Sequence, residues 1–301
     1  CAAHAALAWR ELGPRAQRYV FDGTLVRPLL VAGGWLTVSN VISPLMGYVD
    51  RLLIGVSVSA VAVAHYATPL EVAIKLSIVP ASVTAVLFPM LAVQMLRPHG
   101  SSAALMNVGA KAILGVLWPC CVCLAVFAGE LLSLWIDPEF AASSAPLLRL
   151  FAIGILVNII AHLPLTMMQS AGDMRTVAVI HLVEMPIFVI VLVPLVWAFG
   201  AWGAAVAWVL RMSGDALLMH WQARRHLDRP PTARHAWGAL LILAGFVGVA
   251  IESSAARLLW VVGVTSASVV WLLRPARADL RAYESASSTA ASTLHNGGRP
   301  T

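Results

Sequence analysis

Charge is scarce in this sequence. Only 11% of its 301 residues are Asp, Glu, Lys or Arg, against about 25% in soluble domains, which excludes an ordinary soluble domain. Cysteine is scarce too. Cys120, Cys121 and Cys123 share the apolar stretch "LWPCCVCLAVF" and the fourth is Cys1. That pattern makes no disulfide framework, and a zinc site would want polar company, so these residues read as small packing side chains. There is no P-loop, no G-x-S-x-G and no H-E-x-x-H, and "CCVC" is no zinc ribbon. No segment between the apolar runs is large enough for a catalytic domain, so no metal, cofactor or enzymatic centre is read. Residues 1–26 also lack the long apolar core of a signal peptide, and they carry Arg10, Glu11, Arg15, Arg18 and Asp22. With Cys1 in place of an initiating Met, this predicts the C-terminal part of a longer protein, cut inside a cytoplasmic loop.

What is present is apolar length. The chain is 60% hydrophobic, with a mean hydropathy of +0.84, and its runs reach the roughly 20 residues that a helix needs to cross a bilayer. They do not alternate as barrel strands would. The fold class predicted is an all-α, polytopic helical membrane protein with about eight transmembrane helices: 28–57, 61–94, 112–136, 145–169, 175–198, 202–221, 236–252 and 255–273. The net charge of +6 fits basic cytoplasmic loops and is not read as a nucleic-acid surface.

Charge parity decides the region 28–96. Arg10, Arg15, Arg18 and Arg27 precede it, and Arg97 and Lys111 follow it. Both basic flanks belong inside, so the number of crossings is even. Two helices turning near 57–61 satisfy this and place Asp50 and Arg51 inside the first helix. "DPEFAASS" (137–144), acidic and without a base, is predicted outside. "ARRHLDRPPTAR" (223–234) and the tail from Arg274 are predicted inside, the tail becoming disordered beyond about residue 284. Gly200, Gly203, Ala204 and Ala205 are placed for close helix contact. Pro80, Pro89, Pro119, Pro164, Pro186 and Pro194 fall within spans.

Five bases and five acids lie in these spans: Arg51, Lys75, Arg149, Arg211 and Arg257; Asp50, Glu71, Glu130, Glu184 and Asp215. Glu130 and Arg257 are expected near interfaces. A charge at mid-depth costs about 2.5–3.5 kcal/mol on an insertion scale. Glu71 with Lys75 and Arg211 with Asp215 are spaced i, i+4 and can neutralise each other on one helix face. Asp50 and Arg51 cannot, because adjacent helical residues point about 100° apart. Each needs a partner on another helix or water. Tyr66, His162, Gln169 and His181 are further polar candidates for an interior path.

Three blocks carry a family resemblance. They are "GYVDRLLIG…AHYATPLEVAIKLSIVPASVTAVLFPMLA" (47–92), "LWIDPEFAASSAPLLRLFAIGILVN" (134–158) and "MQSAGDMRTVAVIHLVEMPIFVIVLVPLVWAFGAWGAAVAWVLRMSGDALLM" (168–219). The last contains Gln169-x-x-Gly172, His181-Leu-x-Glu-x-Pro186, Gly200-x-x-Gly203-Ala-Ala205 and Trp208-x-x-Arg211. Over roughly 28–220 the chain resembles the oligosaccharide flippases, the O-antigen and polysaccharide exporters of the multidrug/oligosaccharidyl-lipid/polysaccharide superfamily.

That resemblance implies a MATE-like fold of two six-helix bundles with two extra C-terminal helices. This chain would supply an inter-bundle loop (1–27), the second bundle (28–221), a basic loop (222–235), the extra pair (236–273) and a cytoplasmic tail (274–301). Alone it would insert but not transport, for want of the first bundle. The implied task, in a bacterial inner membrane, is to turn polyprenyl-diphosphate-linked oligosaccharide between leaflets. A polymerase and glycosyltransferases are the implied partners. Arginine suits the diphosphate because its fork donates two hydrogen bonds, so Arg51, Arg149 and Arg211 become path candidates. Competing readings are a cation-coupled drug exporter, whose cavity should favour acids over bases, a membrane glycosyltransferase or ligase, which would want an outer catalytic loop, and a scaffold, which would not need unpaired charges such as Arg51.

Overall fold

The computed structural model describes residues 23–95, 102–226 and 246–270, and among these residues there is no strand. The first apolar run forms α1, Gly23–Ser57. The chain turns at Val58–Ser59, where the sequence predicts a reversal. Ser59 then caps α2, Ala60–Lys75, its hydroxyl accepting the Ala62 N–H at 3.0 Å. The expected single helix over 61–94 is broken at Leu76–Ser77, and α3 runs Ile78–Met95. Pro80 explains the break. Its ring cannot accommodate the carbonyl four residues earlier, at Leu76, but proline is tolerated in a first turn.

Three further expectations are corrected. The third span, predicted at 112–136, begins earlier and is interrupted: α4 is Ser102–Val126 and α5 is Ala128–Trp135. Lys111 therefore lies in a helix, because the Ala- and Leu-containing stretch before it has good helix propensity despite lower hydropathy. The predicted outer loop 137–144 is instead the start of α6, Pro138–Ser170. Asp137 is its N-cap, accepting the Phe140 N–H at 2.7 Å, with Pro138 in the first turn and Glu139 placed favourably at the positive end of the helix dipole. In the predicted span 236–252, the described part holds a 3-10 turn at Val247–Ala250 followed by non-helical residues 251–253. Polar Glu252 and Ser253 end the apolar run just before α9, Ser254–Val270. Residues 1–22, 96–101, 227–245 and 271–301, with the loop and tail expectations placed on them, Arg97 included, lie outside the described residues.

The remaining helices are α7, Met174–Phe199, and α8, Ala201–Ala223. They form a tight hairpin at Gly200, and the small residues read from the sequence are where closeness is needed. Any Cβ on Gly203 would collide with the Leu195 carbonyl, and Ala204 and Ala205 are fully buried. Helix α6 is the hub, packed against α2, α3, α4, α5 and α8. Its Phe151 lies edge-on between Tyr66 of α2 and Trp208 of α8, with centroid distances of 5.3 and 5.4 Å. Cys121 is buried in this core, while Cys120 and Cys123 are exposed, and all three are free thiols.

The outer faces are apolar: Leu29, Leu30, Leu52, Val56, Leu134, Ile190, Trp197 and Leu217 are all exposed. Counting α2 and α3 as one crossing, five helical segments are long and apolar enough to span a membrane: α1, α2–α3, α4, α6 and α7. Helix α8 has 23 residues, but Arg211 and Asp215 interrupt its apolar run. The described structure is that of a polytopic helical membrane protein. At one end of the bundle Arg257 of α9 meets Glu130 of α5 at 2.7 Å, a pair expected near an interface. At the other, His226 lies 3.4 Å from Asp173.

Candidate functional site: a charged seam inside the bundle

Four helices turn polar side chains toward one another. The buried face of α1 runs Ser39, Met46, Asp50 and Ile54, a helical stripe carrying two polar groups. That of α7 runs Val177, His181, Glu184, Phe188, Leu192 and Val196. Arg211 and Asp215 lie on α8, and Tyr66 is fully buried on α2. The stripes are set by helical periodicity, so neighbouring helices bring their polar members into line.

The first cluster supplies the separate partners that Asp50 and Arg51 need. Asp50 is 0% exposed. The Tyr66 hydroxyl donates to its Oδ2 at 2.5 Å, and the Arg51 backbone N–H donates to Oδ1 at 2.7 Å. The Arg51 side chain turns away and donates from Nη2 to Glu71 Oε1 at 2.6 Å, with its guanidinium 5.6 Å from the Tyr48 ring. Both charges therefore find partners on α2. The i, i+4 pairing of Glu71 with Lys75 is present only as a 3.9 Å contact to a largely exposed amine, because Glu71 spends its other oxygen on Arg51.

The second cluster lies between α1, α7 and α8. His181 Nδ1 is 2.7 Å from Ser39 Oγ, and its Nε2 is 3.8 Å from Asp215 Oδ1. The predicted i, i+4 pair of Arg211 with Asp215 closes no hydrogen bond among the described residues. Instead Arg211 sits amid Glu184, Asp215, Asp50 and Tyr66, its guanidinium 5.3 Å from the Phe188 ring. Buried polar atoms remain without partners here: Glu184 Oε1, Asp215 Oδ1 and Arg211 Nε. His181, Glu184 and Asp215 bring ligand atoms within 4.8 Å of one another, close enough to enclose a cation. No spacing in the sequence foretells that triad. From Ser39 to Asp50 the seam extends about 16 Å along α1, at roughly 1.5 Å per residue.

Other candidates lie elsewhere. His162 and Gln169 line a separate cavity of about 310 Å³ with Thr84, Phe88 and Thr166, between α3 and α6. Arg149 is half-buried on α6 with its Nε unpartnered. Sequence reasoning missed Ser39. It also missed His65, which stacks on Phe140 at 4.6 Å and meets Ser144 at 2.9 Å, tying α2 to the start of α6.

The described residues thus form a bundle of membrane-length helices with a charged seam inside it. A family model described as "Polysaccharide biosynthesis protein" matches residues 2–95. A protein described as "Putative O-antigen transporter", from Shigella flexneri, is 32% identical over 193 residues, covering 64% of this chain and 46% of that protein. The chain thus spans about half the length of the curated relative it matches. Both matches support the resemblance to the polysaccharide-biosynthesis and O-antigen exporter family.

Proposed function

We propose that this chain is one half of a flippase that carries polyprenyl-diphosphate-linked oligosaccharide across a bacterial inner membrane by alternating access, for O-antigen, capsule or exopolysaccharide synthesis. The observation that carries this reading is the seam itself. Asp50, Arg51, Tyr66, Glu71, His181, Glu184, Arg211 and Asp215 gather on four helices whose outer faces are apolar. Charged side chains at membrane depth are costly and mark substrate paths by default, and Arg211, with an unpartnered Nε, has capacity to bind a phosphate oxygen. Residues 28–221 form the bundle that rocks. The basic end, with Arg27, Arg175, Arg224 and Arg225, faces the cytoplasm, as the distribution of arginines favours.

The test is export of polysaccharide by the complete two-bundle protein in a cell lacking its own exporter. Arg211→Gln abolishes export even when protein levels are matched, and lipid-linked repeats accumulate on the inner leaflet. Arg211→Lys retains part of the activity. Full export by a well-expressed Arg211→Gln protein refutes the reading. A cation-coupled drug exporter is the second reading, favoured by the His181–Glu184–Asp215 triad. It predicts drug sensitivity, with no accumulated lipid-linked repeat, when Glu184 or Asp215 is neutralised.

A further inference from the structure

Away from the seam, a cavity of about 470 Å³ opens between the start of α1 and the α6–α7 turn. Its size falls in the roughly 300–1,000 Å³ range of small-molecule pockets. Arg27, Val31 and Trp35, spaced at one helical turn, form the α1 wall, and Gly172 and Arg175 face them. Gly172 has φ +80°, and a Cβ there would meet nothing within 4 Å, so this side of the cavity is open. The Arg175 guanidinium lies 5.8 Å from the Trp35 ring, which restrains its plane while leaving its N–H groups available. Among the described residues neither Arg27 nor Arg175 closes an ion pair. The nearest acid in sequence, Asp173, is committed to the Thr176 N–H and to His226, each at 3.4 Å. Beside the two guanidinium groups the outer face of α1 is apolar, with Leu29, Leu30 and Val31 exposed.

We propose that this cavity is a docking site for the diphosphate of a polyprenyl-linked substrate, held by Arg27 and Arg175 before it reaches the seam. Two arginines from different helices supply forked donors for non-bridging phosphate oxygens. The adjoining apolar face accommodates the isoprenoid chain in the bilayer. A soluble phosphate would use only the first feature, so a lipid-borne one is the better match. Basic pockets between transmembrane helices are a recurring mode of lipid headgroup recognition. The proposal rests on the flippase reading.

The test is binding of labelled polyprenyl diphosphate to the full chain in nanodiscs of phosphatidylcholine. Inorganic pyrophosphate, phosphatidylglycerol and unphosphorylated polyprenol serve as competitors. Arg27→Gln with Arg175→Gln weakens binding at least ~10-fold, as expected for losing two charge-assisted contacts. Arg27→Lys with Arg175→Lys loses less. Both replaced residues are exposed, and monodispersity on size exclusion confirms folding. Unchanged affinity in the folded Gln variant overturns this site while leaving the flippase reading intact. No binding of polyprenyl diphosphate by the unmodified chain also overturns this site, whereas the flippase reading is refuted separately, by full export from the complete protein carrying Arg211→Gln. Equal competition by phosphatidylglycerol assigns the cavity to ordinary lipid, and equal competition by pyrophosphate assigns it to free phosphate. Either outcome refutes the proposal.

Discussion

The Arg51–Glu71 contact separates structural from transport roles if its two ends are removed singly and together. The side chains are 20% and 46% exposed and 2.6 Å apart. Fully exposed pairs contribute about 0.2–1 kcal/mol, whereas breaking a buried pair costs about 3–5 kcal/mol. Half-buried, with the Glu71 end reaching water, this pair should couple by about 1–2 kcal/mol, between those limits. The assay is a double-mutant cycle on the purified protein, with Arg51→Gln, Glu71→Gln and the double variant compared by denaturation midpoint in detergent. Export by the complete protein is measured beside it. Arg51→Gln alone lowers stability by about the coupling energy, because water replaces the guanidinium at Glu71 only in part, and the double variant recovers most of that loss. If Arg51 also serves the substrate, export does not recover with stability. Restored export in the double variant would sink the transport role for Arg51. A coupling energy indistinguishable from zero would show that the contact does not persist in the membrane.

Three further outcomes are expected. Gly203→Ala, which drives a Cβ into the Leu195 carbonyl, should lower folded yield sharply, whereas Gly214→Ala on the same helix, where a Cβ meets nothing within 4 Å, should be neutral or gain up to about 1 kcal/mol; equal yields for the two would refute the close-packed hairpin. Tyr66→Phe leaves the buried Asp50 carboxylate without its side-chain donor and should cost about 1.5–3 kcal/mol, with Asp50→Asn in the same background recovering part of it; a melting curve unchanged by Tyr66→Phe would refute the hydrogen bond. In a background without the four native cysteines, a cysteine placed within 137–140 should react with an impermeant reagent from the periplasmic side and one at 225 only from the cytoplasm; the reverse pattern would overturn the assigned orientation.

Much of the architecture was legible because it rests on local signals. Apolar length marks the helices, and the reversal near 57–61, with Asp50 inside the first helix, lies where the sequence reading puts it. Where boundaries failed, a local signal had been outweighed by another. Asp137-Pro138-Glu139 is a helix start that its acidity disguised as a loop, and Pro80 divided a run that hydropathy alone makes continuous. The site was only partly legible. That Asp50 and Arg51 need separate partners follows from the 100° between adjacent residues. That the partners are Tyr66 and Glu71 does not, since the pairing depends on how α1 and α2 lie together. The i, i+4 rule favoured Glu71 with Lys75 and Arg211 with Asp215; the first is present at 3.9 Å beside the closer Arg51 contact, and the second closes no hydrogen bond among the described residues. Ser39 was findable, since it shares a helical stripe with Met46, Asp50 and Ile54. The approach of His181 to Asp215 depends on the α7–α8 hairpin, and its tightness comes from Gly203.

The balance of charge along the seam constrains how an anion can cross it. Arg51 and Glu71 neutralise each other. That leaves Asp50, Glu184 and Asp215 around a single guanidinium, Arg211, so the interior holds more acid than base, a balance that the cation-coupled exporter reading expects and the flippase reading must overcome. A diphosphate entering such a seam would be repelled unless a carboxylate is neutralised or another base is released. Arg51 is the base that can be released most cheaply. Its Nη2 is bound to Glu71 while its Nε has no partner, and Glu71 is 46% exposed, so water can replace the arginine at that carboxylate. Lysine at position 51 could make the same exchange of charge but would lack the fork that grips two phosphate oxygens. Asp50 need not move in this exchange, because Tyr66 and the Arg51 backbone N–H hold it independently of the arginine side chain. Placing two opposite charges side by side on one helix thus leaves the acid anchoring α1 against α2 whatever the base does, which is what the proposed exchange of a carboxylate for a ligand requires.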